Sequence, residues 1–170
     1  MLVPGIPSNE AERIAVLRDM LILDTEPEER FDTVTAYCQS RFGVQIALVT
    51  LVDCDRQWFK SAAGLQLTET PREISFCGHA ILQDEVMMVC DAHQDERFSD
   101  NPLVLGAPFI RFYAGAPLKV SSGHNVGTLC LIDPKPKHLA PEEVAHLKVL
   151  ARMVSQELEK TGAGGKGCQI

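Results

Sequence analysis

No stretch of this 170-residue chain approaches the roughly 20 consecutive apolar residues needed to cross a bilayer. Met1 to Gly5 carry neither the basic region nor the apolar core of a secretory signal. Positive charge is scarce: 16 Lys and Arg stand against 23 Asp and Glu, a net charge of -7. Phosphate backbones are bound by clustered Lys and Arg, so neither a nucleic-acid partner nor a membrane is expected. The cysteines do not form a loop-spaced framework. Cys38, Cys54, Cys77, Cys90, Cys130 and Cys168 mostly sit inside apolar segments, which fits reduced thiols in a cytoplasmic protein better than secreted disulfides. In the C-terminal Gly-Cys-Gln-Ile the cysteine falls one position too late for a prenylation box. Internal repeats and catalytic output motifs are also lacking.

What is present is an ordinary globular composition, 45% apolar and 23% charged, in a chain long enough for one sizeable core. The most informative stretch is Arg111 to Asp133, RFYAGAPLKVSSGHNVGTLCLID. It reads as two apolar strands joined by a polar turn at Ser121-Ser122-Gly123-His124-Asn125. The second strand is apolar on both faces and belongs mid-sheet. Gly115 and Gly127 mark places where a ligand or another backbone comes close.

Upstream, Ser8 is an expected N-cap for a helix over Asn9 to Leu23, with Ile14, Leu17 and Leu21 on one face. Thr25 and Glu28 have capping-box spacing for a second helix that buries Phe31, Val34, Cys38 and Phe42 and ends at Gly43. Gln45 to Val52 is a central strand, with Ile46, Leu48 and Val52 on one face and Ala47, Val49 and Leu51 on the other. A turn at Asp53 to Arg56 returns the chain as a strand over Gln57 to Ala62, and Gly64 to Arg72 reads as a loop. Ile74 to Leu82 suits a short helix and Val86 to Cys90 a strand. Asp91 to Pro108 is a long connection with one helical turn at Pro102 to Leu105. Pro141 opens a last helix whose Val144, Leu147, Ala151, Val154 and Leu158 form a short a/d seam. The order of elements gives an α+β fold: a central, mostly antiparallel sheet with helices packed on one side. Residues 1–8 are expected as an N-terminal arm, 9–160 as the domain, and 161–170 as a flexible tail or linker.

Six ordered blocks carry a family resemblance: LILDTEPEERFD (21–32), DRQWFKSAAGL (55–65), TPREISFCGHAI (70–81), DERFSDNPLV (95–104), RFYAGAPL (111–118) and GTLCLID (127–133). Over roughly Glu10 to Lys160 the chain resembles a GAF domain of the bacterial subgroup that sits upstream of GGDEF, EAL or histidine-kinase output modules. The resemblance implies a PAS-like sheet, a pocket of small-molecule size, and terminal helices that often pair into a homodimer. It implies no particular ligand or cofactor. The Cys-His dipeptide of bilin-bearing relatives is interrupted by Gly78, and the Asn-Lys-Phe-Asp-Glu signature of cyclic-nucleotide-binding relatives is absent.

The residues expected to line a ligand site are Phe76, Cys77, His79, Arg97, Phe98, Asn101, Arg111, Tyr113 and Cys130. Arg97 and Arg111 offer two-point forks for an anion, or pair with Asp95, Asp100 and Asp133 to tie down the long connection. Phe109 and Phe112 are expected in the core with Phe76 and Phe98. Cys77, His79, Cys90 and His93 are thiol and imidazole groups at a weak zinc spacing, and no metal is expected. The leading expectation is a non-catalytic small-molecule sensor in two-component or cyclic-di-GMP signalling, homodimeric and acting on an output domain or a partner kinase or cyclase. The rival is a thiol-dependent redox enzyme of the free methionine sulfoxide reductase type, with Cys77 or Cys130 as its reactive group.

Overall fold

The computed structural model describes the backbone of residues 1–167 and the side chains of residues 1–160. Its centre is a six-stranded antiparallel sheet in the order β3-β2-β1-β6-β5-β4. The strands are β1 (Ile46–Val52), β2 (Arg56–Ala63), β3 (Glu69–Pro71), β4 (Met87–Val89), β5 (Phe112–Lys119) and β6 (Asn125–Asp133). Every residue of β1 is buried, as are Val126 to Ile132 of β6, because both strands are covered on two faces. Strict alternation divides the core. Ala47, Val49, Leu51, Phe112, Ala114, Leu129 and Leu131 face one layer; Ile46, Leu48, Val52, Tyr113, Cys130 and Ile132 face the other.

The first layer is helical: α1 (Glu10–Asp19), α2 (Glu29–Phe42) and α5 (Pro141–Gly167). The a/d seam of α5 is spent on the chain's own sheet, since Leu147, Ala151, Val154 and Leu158 are all buried there. Pro141 opens this helix, and the Glu143 carboxylate accepts the Ala140 N–H at 3.0 Å, satisfying a donor at its first turn. The helix continues through most of the segment expected as a flexible tail; Cys168 to Ile170 lie outside the described residues. The second layer is irregular, with two short helices, α3 (Phe76–Ala80) and α4 (Pro102–Leu105), and 3-10 turns at Arg72–Ile74 and Ala92–Gln94.

Several local expectations give way to tertiary contacts. α1 stops at Asp19, its cap is Asn9, and its buried stripe is Arg13, Leu17 and Met20; Leu21 is exposed with a positive φ. The capping box at Thr25 and Glu28 does not form. The Thr25 hydroxyl donates to Ile22 O at 2.6 Å, and α2 begins at Glu29. The displacing group is Lys60, whose buried ammonium binds Thr25 Oγ1 (2.8 Å), Glu26 O (2.6 Å) and Glu28 Oε2 (2.7 Å). It pins the linker between α1 and α2 onto β2. The segment read as a loop contains β3, an edge strand of three residues that pairs with Arg56, Gln57 and Trp58 and ends on Pro71. Phe109 is exposed, with a positive φ that turns its ring out of the core. Gly43 does cap α2 in the left-handed conformation, and its N–H reaches Gln39 O. The approach expected at Gly127 is that of β1: an added Cβ would overlap the Thr50 carbonyl oxygen.

A buried ionic cluster joins the first helix to the irregular layer. Glu10 accepts from Arg13 Nε (2.9 Å) and Nη2 (2.8 Å) and from Arg72 Nη1 (2.5 Å). Arg13 Nη1 donates to Val52 O at 2.7 Å, and Arg72 Nη1 to Asp53 O at 3.0 Å. Both arginines are almost wholly buried, at 1% and 5% exposure. Partial burial pushes the Glu10 carboxyl up, but the hydrogen bonds and charges of Arg13 and Arg72 outweigh it and bring it down from 4.5 to about 2.

Glu10→Ala leaves two guanidinium groups buried without their counter-charge. It is expected to cost about 3–5 kcal/mol in urea unfolding. A lowered native value means that this stabilisation is complete above pH 4.5 and lost as the pH falls towards 2. Urea midpoints measured across that window should therefore fall more steeply for the wild type than for Glu10→Gln.

Candidate functional site

Between the irregular layer and the sheet lies a partly open cavity of about 30 Å³, with β1, β2, β5 and β6 on one side and α3, α4 and the Pro108–Ile110 segment on the other. Ser75 fixes the entry to α3: its hydroxyl donates to Arg72 O at 2.7 Å and accepts the Gly78 N–H at 3.0 Å. Asn101 caps α4 by accepting the Leu103 N–H at 2.8 Å, while its amide donates to Ile74 O at 3.0 Å and so ties α4 to the 3-10 turn that precedes α3. Phe76 and Phe98 stack with centroids 3.9 Å apart, and Tyr113 leans on Phe76 at 5.2 Å. Tyr113 lies along its own strand over Gly115, where an added Cβ would meet its hydroxyl. That gap in the pleat is filled by a tyrosine.

The wall is apolar, with Leu48, Phe59, Leu103, Ile110 and Ile132, and carries three kinds of polar group. The first is Gln57, almost fully buried. Its Nε2 donates to Thr70 Oγ1 at 3.0 Å, while its Oε1 has no hydrogen-bond partner among the described residues. The second is the Thr70 hydroxyl. The third is the Cys77 thiol, held in a closed network. Tyr113 Oη and Thr128 Oγ1 each donate to Cys77 Sγ at 3.1 Å, and Cys130 Sγ lies 4.0 Å away. Behind Thr128, the Thr50 hydroxyl is 2.9 Å from its Oγ1, and Thr128 N–H donates to Thr50 Oγ1 at 3.3 Å. Since Thr128 gives its proton to sulfur, the Thr50 proton goes to Thr128, and the chain of donors points at Cys77.

Complete burial pushes the Cys77 thiol up, yet its hydrogen bonds with Cys130, Thr128 and Tyr113 outweigh it and bring it from 9.0 down to about 7. Cys130 shifts the other way, raised by burial and by its proximity to Cys77. Tyr113 is raised by the same causes and stays a hydrogen-bond donor. The pair therefore holds one thiol poised to ionise and one kept protonated.

Of the residues expected at the site, Phe76, Cys77 and Tyr113 line the cavity, and Cys130 and Phe98 stand directly behind that wall. His79 is half-buried on the far side of α3. Its Nε2 is 3.1 Å from Leu2 O, its ring meets the edge of Phe98, and burial lowers its pKa. Arg97 forms a two-point pair with Asp95 (3.0 and 2.8 Å). Arg111 does the same with Asp91 (2.7 and 2.9 Å), a partner not foreseen, and neither arginine reaches the cavity. Asn101 is committed to α4 and the 3-10 turn at Arg72–Ile74. Cys90 sits at the surface with its sulfur 3.5 Å from His138 Nδ1, apart from Cys77. Among the described residues no group of three or more His, Cys, Asp or Glu is placed to hold a metal. Sequence reasoning missed Gln57 and Thr70. The one available signal was a glutamine directly before the aromatic pair Trp58-Phe59 of a strand. A wider, open hollow of about 560 Å³ lies across the sheet beside α5; two of its cations, Lys119 and Lys148, are paired with Asp84 and Glu85.

Comparison with known proteins places these observations. The GAF domain family matches residues 26–158. A cyclic di-GMP phosphodiesterase of Pseudomonas aeruginosa is 44% identical over 155 residues, which is 91% of this chain. The chain spans about a quarter of that relative's length, 26%. Among solved structures, the GAF domain of a phosphoenolpyruvate-protein phosphotransferase from Coxiella burnetii superposes with a TM-score of 0.70 at 18% identity, covering 94% of this chain and 99% of that one. A free methionine-R-sulfoxide reductase from Neisseria meningitidis gives 0.64 at 19% identity, covering 97% and 98%. At these identities the structural likeness is one of fold. Within the described residues no helix is long and apolar enough to cross a membrane.

The donor network makes a spectroscopic prediction. Thiolate absorbance in the near ultraviolet should appear in the native protein with a midpoint near 7. Thr128→Val removes one donor to Cys77 and should move that midpoint upwards; an unmoved midpoint in a folded variant would assign the titration to another cysteine.

Proposed function

The chain belongs to the GAF domain family, and on that premise we propose that it is a non-catalytic sensor module of bacterial signal transduction. A small molecule binds in the cavity beneath the sheet, and binding alters the packing of the terminal helices. The observation that carries this reading is that two strands serve both layers. On β5 and β6, Tyr113, Cys130 and Ile132 face the cavity side, while Phe112, Ala114, Leu129 and Leu131 form the bed of the helical layer. A ligand that displaces the Tyr113 ring moves the backbone on which α5 rests, biasing a helix arrangement by its differential affinity for the two states.

The lining and the small space support a very small, uncharged ligand with one hydrogen-bond donor aimed at Gln57 Oε1. The arginines that an anion would need are bound to Asp91 and Asp95. The output is a cyclic-di-GMP module, in keeping with the Pseudomonas relative, or a kinase module, and the proposed setting is cytoplasmic. Dimerisation through α5 is part of the proposal, because Val149 and Met153 stand exposed one turn apart on its outer face. The rival reading, a reductase of free methionine sulfoxide, draws on the lowered Cys77 thiol beside the cavity. Against it, a space of about 30 Å³ holds little more than a water molecule and does not admit an amino-acid substrate.

Native against denaturing mass spectrometry, followed by thermal-shift screening with small uncharged donors, tests the proposal. A true ligand raises the Tm of the wild type by mass action and loses that effect in Gln57→Leu. That variant loses one hydrogen bond but also removes an unpaired acceptor, so its unliganded stability should stay within about 1 kcal/mol of wild type. Undiminished stabilisation in Gln57→Leu would move the site elsewhere. Turnover of free methionine sulfoxide would replace the sensor with the enzyme.

A further inference from the structure

The sensor reading leaves the stimulus open, and the thiol pair narrows it. We infer that Cys77 and Cys130 are a redox pair that hydrogen peroxide, entering the cavity, converts to a disulfide. The inference rests on the reading of this cavity as the sensing site and names what is sensed.

The geometry supplies each requirement. The sulfurs stand 4.0 Å apart, and bond formation brings them to about 2.05 Å. Cys77 lies on α3, a helix of only five residues, whereas Cys130 lies on the central strand β6; the helix is the part that shifts. Cys77 borders the cavity and carries two hydroxyl donors that favour its thiolate, the nucleophilic form. The space admits a molecule little larger than water. Gln57 Oε1 is an open acceptor on the same wall, matched to a peroxide O–H. Among the described residues no other cysteine is so placed: Cys38 is buried in the helical layer, its thiol pushed up to about 12 by burial, and Cys54 and Cys90 are at the surface.

The chemistry balances without a further reactant. The Cys77 thiolate attacks one peroxide oxygen, the O–O bond breaks, and the departing hydroxide takes up the proton the thiol released, leaving as water. Cys77 is then a sulfenic acid. The Cys130 sulfur attacks the Cys77 sulfur, the S–O bond breaks, and the Cys130 proton leaves with that oxygen as a second water. Two thiols are oxidised by two electrons and one peroxide is reduced. The product ties α3 to β6 and removes the sulfur acceptor from Tyr113 and Thr128, on the strands that carry the helical layer.

The test uses the full chain with Cys54, Cys90 and Cys168 replaced by Ser, so that the redox pair and Cys38 remain. After a small molar excess of hydrogen peroxide, the expected result is a loss of two hydrogens in mass, a linked Cys77–Cys130 peptide, and full reversal by a thiol reductant. Cys130→Ser in this background should stop at a Cys77 sulfenic acid trapped by dimedone. Cys77→Ser should leave every sulfur reduced. The same peptide map on the unsubstituted chain decides the matter if a variant fails to fold. Recovery of Cys77 and Cys130 as free thiols, while surface cysteines oxidise, would overturn the inference. It would leave the sensor reading intact, because that reading stands or falls on the thermal shift of Gln57→Leu.

Discussion

The structure depends on the antiparallel pairing of β1 with β6. Thr50 lies opposite Thr128 and Leu48 opposite Cys130, and the backbones approach closely at Gly127 because that residue lacks a Cβ. Both strands are apolar on both faces, so neither can be left to water on either side. Two covering layers follow from that single constraint. One is built from helices, whose continuous apolar stripes fit a broad sheet face. The other is built from short helices and turns, which cover the face unevenly and leave a space.

The buried Thr50–Thr128 pair is the polar exception at the centre of this pairing, and it faces the irregular layer. Two hydroxyls inside an apolar sheet require partners. They satisfy one another and pass the remaining donor to Cys77. An otherwise ordinary core cysteine thus becomes the acceptor for a row of hydroxyls, while Cys130 beside it, on the strand itself, stays protonated. The asymmetry between two neighbouring thiols is a consequence of sheet register.

Charge plays a different part. The arginines that the sequence offers as ligand forks, Arg97 and Arg111, are taken up by Asp95 and Asp91 and fasten the long connection between β4 and β5. The buried cations Arg13, Arg72 and Lys60 fasten the N-terminal helices and their linker to the sheet. In each case the charge secures a segment with few apolar contacts of its own, and the cavity is left to uncharged groups. The fold's cations are anchors, which is why the wall of the cavity carries no Lys or Arg.

The sequence by itself determined the sheet's central strands, the division of their faces, the position of the hairpin turn, the Gly43 cap and the helical turn at Pro102–Leu105. Each of these is set by local periodicity or by a residue with a fixed backbone preference. It also singled out Phe76, Cys77 and Tyr113 as candidates, and the fold sets all three along the cavity wall. Tertiary structure decided what depends on partners distant in sequence. Lys60 reaches back 35 residues to Thr25 and displaces the capping box. Arg13 reaches forward 39 residues to Val52, so α1 buries an arginine where periodicity suggested Ile14. Gln57 acquires meaning only once Thr70 and the cavity wall surround it. The pairing of Cys77 with Cys130, 53 residues apart, exists only because one short helix is laid across one strand. Spacing along the chain carries no information about such contacts; the register of the sheet and the path of the irregular layer create them.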